Sequence, residues 1–255
     1  MSLIPLTSRS NATYQSVRVL AEDRRARRQA GATLLDGEHL LEAALAAGIA
    51  PRRLVFAASA LEGRLAGWQA RLPGVPQLLL SDALFATLSP VDSPTGLLAE
   101  IAIPAVVNET AQFVVLLEDI QDPGNLGALL RTAAAAGVEQ AWLSTACADA
   151  WSPKCLRGGQ GAHFRLAIQE RADLVAVARR YPVHAAVLGA PASLFDLDLR
   201  GAVGFAFGNE GAGLSEGLRA CSSPFSIPMS DRVESLNVAA AAAVCLFERV
   251  RQRRA

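Results

Sequence analysis

Asn125 and Arg131 are the first residues whose types and spacing suggest chemistry. Asn125 follows a predicted buried strand, Phe113–Leu117, in a turn that begins at Asp122. In an open α/β sheet, ligands bind where strand ends meet helix starts, so this turn is expected to place Asn125 at such a crevice. Arg131 shares one side of the following helix with small residues, which is typical of close approach by another backbone or by an anionic ligand. The segment alone is equally typical of an Arg that contacts only solvent.

Glu210 lies in a glycine-rich loop, GNEGAG, that follows an apolar run over residues 203–208. Gly208, Gly211 and Gly213 allow a loop to approach a ligand with its backbone N–H groups exposed. Taken alone, the loop is more typical of a plain turn. The fingerprint G-x-G-x-x-G is absent from the chain, which argues against an NAD-dependent oxidoreductase, an alternative that the α/β pattern allows.

Ser235 and Asn237 precede a long helix that is predicted to begin near Val238. Ser and Asn are ordinary helix caps, so each residue singly has a structural explanation. The following residues, 239–243, are all alanine, and a helix lined with alanine lets another backbone pack closely. That pattern is typical of a tight helix crossing or of a subunit interface.

The alternation of strands and helices predicts an α/β protein of two domains that position these residues. Residues 1–105 are expected to form a small α/β domain with a basic N-terminal helix, and residues 104–111 have the irregular pattern of a linker. Residues 112–255 are expected to form a second domain, whose mostly parallel sheet has helices on both faces. Its predicted strands are 113–117, 140–144, 164–168, 183–188, 203–208 and 225–227, and its predicted helices are 126–136, 154–156, 172–180 and 238–253.

Composition limits the classes of function that fit the chain. Of its 255 residues 51% are hydrophobic, so a sizeable packed core is expected, but no apolar run has the length of a membrane span or of a signal peptide. The net charge is zero, which argues against a generic polyanion binder, although six Arg between residues 9 and 28 are placed to meet phosphates or to cover a solvated helix face. Four cysteines without a C-x-x-C pair predict reduced thiols of a cytoplasmic protein and no metal site.

The three segments, in this order, resemble the SpoU–TrmH family of RNA ribose 2′-O-methyltransferases, within the SPOUT superfamily. The family's first motif has an Asn followed six residues later by an Arg, as in DPGNLGALLRTAAAAG with Asn125 and Arg131. Its second and third motifs match FGNEGAGLS, which contains Glu210, and IPM followed by SLNV, which contains Asn237. LLDGEHLLEAALAAG and SPTGLLAE are similar to the family's substrate-binding domain, so the resemblance covers nearly the whole chain. It implies that the C-terminal domain is a deep trefoil knot.

The resemblance implies that the C-terminal domain binds S-adenosylmethionine among the loops of the second and third motifs. By that analogy, Gly208, Ile227, Met229 and Leu236 hold adenine and ribose through backbone groups and apolar contacts. It also implies an RNA substrate, either transfer or ribosomal RNA, and a separate N-terminal α/β domain is more typical of the enzymes that modify ribosomal RNA. The expected assembly is a homodimer through the C-terminal domain, with no membrane and no metal ion.

In the implied reaction, a ribose 2′-oxygen attacks the methyl group of the cofactor, and the 2′-hydroxyl proton must be removed. The family's Arg, here Arg131, is the base in one account of this step. Because a guanidinium resists deprotonation in proteins, clamping a phosphate and stabilising the developing oxyanion is physically easier. Asn125 and Glu210 are then expected to orient Arg131, while Ser235 and Asn237 order the crossing loops and contact cofactor or ribose.

Two departures from the family pattern bear on substrate contacts. Ala239 stands where a Ser often follows the third motif, and Gly159-Gln160 stands where a small residue and Ser or Met are commoner. Two further alternatives stay open beside the enzyme. One is a non-catalytic RNA- or ribosome-binding protein that kept the fold. The other is a peptide-release motif at Gly158-Gly159-Gln160, although a three-residue match often arises by chance.

Overall fold

The computed structural model describes residues 3–61, 63, 65–89, 94–106 and 110–254. Contacts divide the chain into an N-terminal unit, residues 1–105 with 151–164, and a C-terminal unit, residues 106–150 with 165–255. Within the predicted linker 104–111, residues 107–109 lie outside the described residues, as does Ser93 at the start of the SPTGLLAE segment.

The first part of the chain alternates short strands with helices. In order these are β1 (Ile4–Leu6), α1 (Ala12–Glu22), α2 (Arg24–Ala30), β2 (Ala32–Asp36), α3 (Glu38–Ala46), β3 (Pro51–Ala57), α4 (Ala58–Leu61), α5 (Trp68–Arg71), β4 (Gln77–Leu80), α6 (Asp82–Ala86) and β5 (Leu97–Ala102). The strands form a sheet in the order β1-β4-β3-β5-β2, in which β1, β4 and β3 are parallel and β5 is antiparallel to both of its neighbours. The side chain of Asn11 caps α1, and the buried residues of α1 join the apolar core on one face of the sheet.

The second part of the chain continues this alternation of strands and helices. The elements are β6 (Phe113–Leu117), α7 (Pro123–Ala135), β7 (Gln140–Leu143), α8 (Pro153–Gly159), β8 (Ala167–Gln169), α9 (Leu174–Ala178), β9 (Val183–Ala186), β10 (Val203–Phe207), α10 (Glu216–Ala220), β11 (Ser223–Phe225) and α11 (Val238–Arg254). Short 3-10 helices cover Ala162–Phe164 and Leu194–Asp196.

The strands of the C-terminal unit form a sheet in the order β11-β9-β10-β6-β7-β8, and each neighbouring pair is parallel. Every residue of the central strands β6 and β10 is buried. A parallel sheet is covered on both faces, which explains why these strands are continuous apolar runs. The prediction of an α/β fold with a mostly parallel sheet is confirmed.

Some predicted boundaries differ from the observed ones. The strand predicted at 164–168 is shifted to Ala167–Gln169, because the preceding residues Ala162–Phe164 form a 3-10 turn. The strand predicted at 225–227 ends at Phe225. Helix α10 was not predicted. Its N-cap is Ser215, whose side chain accepts a hydrogen bond from the backbone N–H of Leu218.

Residues 151–164 were expected in the second domain, but they pack within the N-terminal unit. The hydroxyl of Thr33 on β2 donates to the carbonyl oxygen of Trp151 at 2.5 Å, and α8 packs against β2. A Cβ atom on Gly161 would lie 2.7 Å from the Cβ of Ala43, so the segment approaches α3 at a distance that only glycine permits. Long-range packing of this kind has no signature in the local sequence.

Gln160 ends helix α8 in the left-handed backbone region, with a φ of 49°. Its side-chain amide donates to the carbonyl oxygen of Arg157 at 2.7 Å. Both neighbouring glycines, Gly158 and Gly159, belong to the helix. The tripeptide therefore has a structural role as a helix end, which explains it without a peptide-release function.

Candidate functional site

Three loops that follow parallel strands meet at one edge of the C-terminal sheet. They follow β6, β10 and β11, and the carboxyl ends of parallel strands lie at the same edge. Nδ2 of Asn125 donates to Oε1 of Glu210 at 2.8 Å, and Nδ2 of Asn237 donates to Oδ1 of Asn125 at 3.0 Å. One residue from each of the three motifs thus joins a single hydrogen-bonded chain.

Helix caps hold two members of this hydrogen-bonded chain, Asn125 and Asn237. The side chain of Asp122 accepts from the backbone N–H of Asn125 at 2.8 Å and so holds the start of α7. Oδ1 of Asn237 accepts from the backbone N–H groups of Ala239 and Ala240, at 2.9 and 3.3 Å, at the start of α11. The side chain of Asn237 therefore does two things at once. It caps α11, as the sequence suggested, and it contacts the first motif through Asn125.

Asn209 folds the glycine-rich loop onto itself and onto β6. Its Oδ1 accepts from the N–H groups of Gly211 and Ala212, and its Nδ2 donates to the carbonyl oxygen of Asp119 at 3.0 Å. The backbones of Asn209 and Gly213 also exchange two hydrogen bonds. The bond between Asn209 and Asp119 spans 90 positions of the chain, so no local sequence pattern indicates it.

Gly208 is required by the loop itself. A Cβ atom at this position would lie 2.4 Å from the backbone carbon and oxygen of Gly213 and 2.6 Å from the nitrogen of Leu214. The sequence suggests a different reason for this glycine, namely access for the ligand. The structure adds the close approach of the loop's own backbone, which leaves no room for a side chain.

Asp119 and Glu118 connect the end of β6 to its neighbours. Asp119 has a positive φ of 56°, and its backbone N–H and its carboxylate both bond the hydroxyl of Ser144, at 2.9 and 2.6 Å. The carboxylate of Glu118 accepts from the N–H and the hydroxyl of Ser215, each at 2.7 Å. These bonds fix α10 relative to β6, and α10 directly follows the glycine-rich loop.

A cleft of about 370 Å³ opens beside these loops. It is lined by the ends of β9 and β10, the glycine-rich loop, the chain after β11 and the start of α11. All four residues expected to bind the cofactor line it: Gly208, Ile227, Met229 and Leu236. Glu210 and Ser235 line it as well. Asn125 is connected to it by the hydrogen bond to Glu210, and Asn237 only indirectly, by its bond to Asn125.

The cleft fits a small ligand with an apolar part. Its volume is within the usual range for ligand pockets, roughly 300–1,000 Å³. Leu188, Met229 and Leu236 line it with large apolar side chains that are 66%, 37% and 38% exposed. Exposed apolar side chains gathered in a concave site favour a partner that removes them from water. Walls of this kind suit an aromatic ring, and polar groups of the glycine-rich loop line the same cleft.

Arg131 does not reach this cleft within the chain. It is exposed on α7, six residues after Asn125, so helix geometry separates the two by about 9 Å along the axis and about 120° around it. Among the residues that the structure describes, none forms a hydrogen bond or ion pair with the Arg131 side chain. The single chain thus brings together Asn125, Glu210 and Asn237, and it leaves Arg131 on a separate surface.

Buried thiols do not supply a nucleophile for the site. Burial raises the pKa of Cys245 to about 12, and it also raises the pKa of Cys147. The thiolate is the reactive form of cysteine, so both residues are inert at neutral pH. Within the described part of the chain, no group of three His, Cys, Asp or Glu side chains has the arrangement of a metal site.

Comparisons with known proteins agree with this geometry. Residues 112–247 match the model of the SpoU rRNA methylase family, and residues 11–99 match the MRM3-like substrate binding domain. The chain is 34% identical to an uncharacterised tRNA/rRNA methyltransferase of Synechocystis, over 97% of this chain and 94% of that protein. It is 32% identical to the 23S rRNA (guanosine(2553)-2′-O)-methyltransferase RlmP of Bacillus subtilis, over 84% of this chain and 86% of that protein.

A solved structure shows the same fold with cofactor. The SpoU methyltransferase AviRb of Streptomyces viridochromogenes, in complex with AdoMet, superposes with a TM-score of 0.88 at 28% identity, over 96% of this chain and 99% of that chain. The family match covers more than half of the sequence, so the resemblance is confirmed and the NAD-dependent alternative is wrong. The chain belongs to the SpoU rRNA methylase family and is an S-adenosylmethionine-dependent RNA 2′-O-methyltransferase.

Proposed function

We propose that this protein methylates a ribose 2′-oxygen of ribosomal RNA, with S-adenosylmethionine bound in the cleft of the C-terminal unit. The observation that carries the proposal is the hydrogen-bonded chain from Asn237 through Asn125 to Glu210, which ends in a wall of that cleft. The ribosomal target is supported by the activity named for RlmP and by the match of residues 11–99 to a substrate binding domain.

The cofactor supplies a methyl group on a sulfonium, and the residues of the chain have to hold the two reactants in line. Positioning contributes much of the acceleration in such a displacement. Ile227, Met229 and Leu236 contribute apolar walls, and the loop that begins at Gly208 contributes backbone groups. Ser235 lines the same cleft with a hydroxyl that can contact ribose or cofactor.

Arg131 holds the RNA in this proposal. Its guanidinium clamps a phosphate and stabilises the negative charge that develops on the 2′-oxygen, because an Arg side chain keeps its charge and presents a planar fork of donors. The 2′-hydroxyl proton passes to solvent or to a substrate phosphate. Because Arg131 does not reach the cleft of its own chain, a second copy is needed to complete the site.

A homodimer through the C-terminal unit meets this need. α7 and α11 pack against each other, and α11 exposes Val244 at 38% and Phe247 at 46% along one side. Arg131 is exposed on the neighbouring helix α7. A symmetric contact between two copies of this pair of helices removes the apolar side chains from water, and it places Arg131 against the cleft of the other copy.

The trefoil knot that the family resemblance implies is part of the proposed fold of this unit. The superposition on AviRb supports it.

The N-terminal unit is proposed to grip structured RNA. Not every Arg in the basic stretch 9–28 is available for this task. Arg27 is buried and donates to the carbonyl oxygens of Leu20 and Ala21, and Arg18 pairs with Glu22. Arg25 and Arg28 are exposed, and they are the best candidates for phosphate contacts.

The C-terminal Arg block contributes less than its sequence suggests. Arg249 is only 4% exposed, lies 4.1 Å from the ring centre of Phe113 and donates to the carbonyl oxygen of Gly201. It therefore stabilises the fold of the C-terminal unit.

The free cysteines Cys147, Cys155, Cys221 and Cys245 support a location in the reducing cytoplasm. Among the residues that the structure describes, none of the helices is long and apolar enough to pass through a lipid bilayer.

Mapping 2′-O-methyl groups tests the proposed target. Total RNA from cells with and without the gene is compared, and purified protein with labelled S-adenosylmethionine is then added to the unmodified RNA. We expect one ribosomal site to lose its methyl group in the deletion strain and to regain it in vitro. A site in transfer RNA alone would contradict the ribosomal assignment, and no site in either RNA would favour the non-catalytic alternative.

A further inference from the structure

Arg219 lines the cofactor cleft, although it belongs to none of the three motifs. It lies on α10, which the sequence did not predict, and its side chain is exposed. In the described part of the chain, no side-chain hydrogen bond or ion pair engages its guanidinium. The chain thus presents an uncompensated positive charge in the wall of the site.

The helix that carries Arg219 is firmly held. Ser215, which caps α10, bonds the carboxylate of Glu118 through both its N–H and its hydroxyl at 2.7 Å. Leu218, the residue before Arg219, is fully buried in the core of the C-terminal unit. A charged group on a fixed element is better placed for recognition than one on a mobile loop.

Other Arg residues of this chain show what a structural Arg looks like here. Arg27 and Arg249 are each 4% exposed, and both donate to backbone carbonyl oxygens. Arg200 pairs with Asp198 at 2.8 Å. Arg219 has neither the burial of the first two nor the carboxylate partner of the third. Its guanidinium therefore stays available for a ligand in the cleft that it lines.

The charges of the cleft match those of the cofactor. Glu210 and Arg219 are the charged residues among those that line the described cleft, and Glu210 already accepts a hydrogen bond from Asn125. S-adenosylmethionine carries a sulfonium, an ammonium and one carboxylate, so its methionyl carboxylate is its single anionic group. A guanidinium fork matches the two oxygens of a carboxylate and can bond both.

We propose that Arg219 binds the methionyl carboxylate of S-adenosylmethionine and so fixes which end of the cleft receives the amino-acid part of the cofactor. This inference rests on the proposed location of the cofactor. Arg219 is a binding residue in this account, distinct from Arg131, which acts on the RNA. The competing role is contact with an RNA phosphate, and the two roles differ in which ligand responds to substitution.

Titration calorimetry with two cofactor forms tests the proposal on the full-length protein. S-adenosylmethionine is compared with decarboxylated S-adenosylmethionine, which keeps the adenosine, the sulfonium and the ammonium but lacks the carboxylate. The wild type should bind the decarboxylated form about tenfold more weakly, as expected for the loss of one charge-assisted hydrogen-bonded pair. Arg219→Ala should bind S-adenosylmethionine about tenfold more weakly while its affinity for the decarboxylated form stays unchanged.

Two matched variants complete the design. Arg219→Lys keeps the charge without the fork, and it should recover part of the preference for the carboxylate form. Arg179→Ala removes an exposed Arg of the same unit that does not line the cleft, and it should bind both forms as the wild type does. Thermal unfolding of each variant confirms that the fold is kept.

Three results would overturn the inference, and they have different meanings. If Arg219→Ala keeps the full preference for the carboxylate form, the carboxylate is bound elsewhere. If Arg219→Ala weakens RNA binding and leaves both cofactor affinities unchanged, Arg219 contacts RNA. If the wild type binds neither cofactor form, the proposed cofactor cleft fails together with the inference drawn from it.

Discussion

Nδ2 of Asn237 donates to Oδ1 of Asn125 at 3.0 Å, although 112 residues separate the two in the chain. The direction of this bond is fixed by the backbone. Oδ1 of Asn237 accepts from two N–H groups at the start of α11, and an N–H group can only donate. Asn125 must therefore accept on its oxygen and donate from its nitrogen, so the third member of the chain, Glu210, must be an acceptor. A carboxylate meets that requirement.

The substitution Asn237→Asp separates helix capping from the hydrogen-bond relay, by which we mean the bonds that run from Asn237 through Asn125 to Glu210. Asp is as good a helix cap as Asn, so α11 should still begin at the same residue and the free energy of unfolding should change by less than about 1 kcal/mol. The relay is lost, because Asp has no donor for Asn125 and brings a second carboxylate toward Glu210. We expect a large loss of methyl transfer with little change in melting temperature. Asn237→Ala, which removes both functions, should lose stability as well. Wild-type transfer rates in Asn237→Asp would contradict the relay.

Arg131→Lys and Arg131→Ala should both lose most of the methyl transfer activity. Lysine keeps the charge but lacks the planar fork that can hold a phosphate and a 2′-oxygen together. Loss of one well-placed oxyanion donor costs roughly 100- to 1000-fold in rate. Cofactor affinity should stay within a few-fold of wild type, since Arg131 does not line the cleft of its own chain. Single-turnover transfer of labelled methyl measures the rate, and a near-wild-type rate for Arg131→Ala would remove the residue from the mechanism.

Gly208→Ala should disrupt the glycine-rich loop and weaken cofactor binding. The added Cβ would meet backbone atoms of Gly213 at 2.4 Å, and backbone cannot move aside as a flexible side chain can. Gly211→Ala is the matched control in the same loop, because its Cβ would meet Oδ1 of Asn209 at an ordinary 3.5 Å. We expect a lower melting temperature for Gly208→Ala only, because only this substitution forces the backbone of the loop apart, and its binding of S-adenosylmethionine should weaken as a result. Equal effects of both substitutions would show that close backbone approach is not the cause.

The double substitution Arg25→Ala and Arg28→Ala should weaken RNA binding while leaving cofactor affinity unchanged. If each side chain neutralises one phosphate, the slope of log affinity against log salt should fall by about two. Arg200→Ala serves as the control, because this Arg is exposed on the C-terminal unit and already pairs with Asp198. Filter binding of the RNA over a series of salt concentrations measures the slope. An unchanged slope would place the RNA contacts on other residues.

Phe247→Glu should convert the proposed dimer into a monomer. Phe247 is 46% exposed on α11. At a symmetric contact the introduced carboxylate would be buried against the same carboxylate of the other copy, which is unfavourable. Val19→Glu, on an exposed position of α1 in the N-terminal unit, is the control and should keep the assembly of the wild type. Sedimentation velocity at micromolar concentration distinguishes the two species. If Arg131 serves the cleft of the other copy, the monomeric variant should also lose methyl transfer.

The local sequence pattern correctly predicted those elements whose residues share one property along their whole length, such as burial or a preference for helix. β6 is buried at every position, and its bounds were predicted correctly as Phe113–Leu117. α11 carries a long run of helix-forming residues, and its predicted start at Val238 is confirmed. Helix α10 was missed because it has five residues and depends on the bonds between Ser215 and Glu118, which lie 97 positions apart.

The candidate site was predictable in its members but not in its contacts. Motif spacing indicated Asn125, Glu210 and Asn237. No local pattern shows that the side chain of Asn125 is hydrogen-bonded to both of the others. The expected contact from Asn125 and Glu210 to Arg131 is absent within the described chain, because six helical residues turn the Arg side chain away. Arg219 belongs to no motif, and only the shape of the cleft identifies it.

The placement of residues 151–164 within the N-terminal unit has a consequence for the order in which the protein becomes complete during synthesis. A ribosome synthesises the chain from the N-terminus to the C-terminus, so residues 1–105 emerge before the segment that packs on β2. By the time Thr33 can bond Trp151, the strand β6 and the helix α7 of the other unit have already been made. The first unit to begin is therefore finished only after about two thirds of the chain has been translated, and until then the surface of β2 that receives α8 lacks its partner.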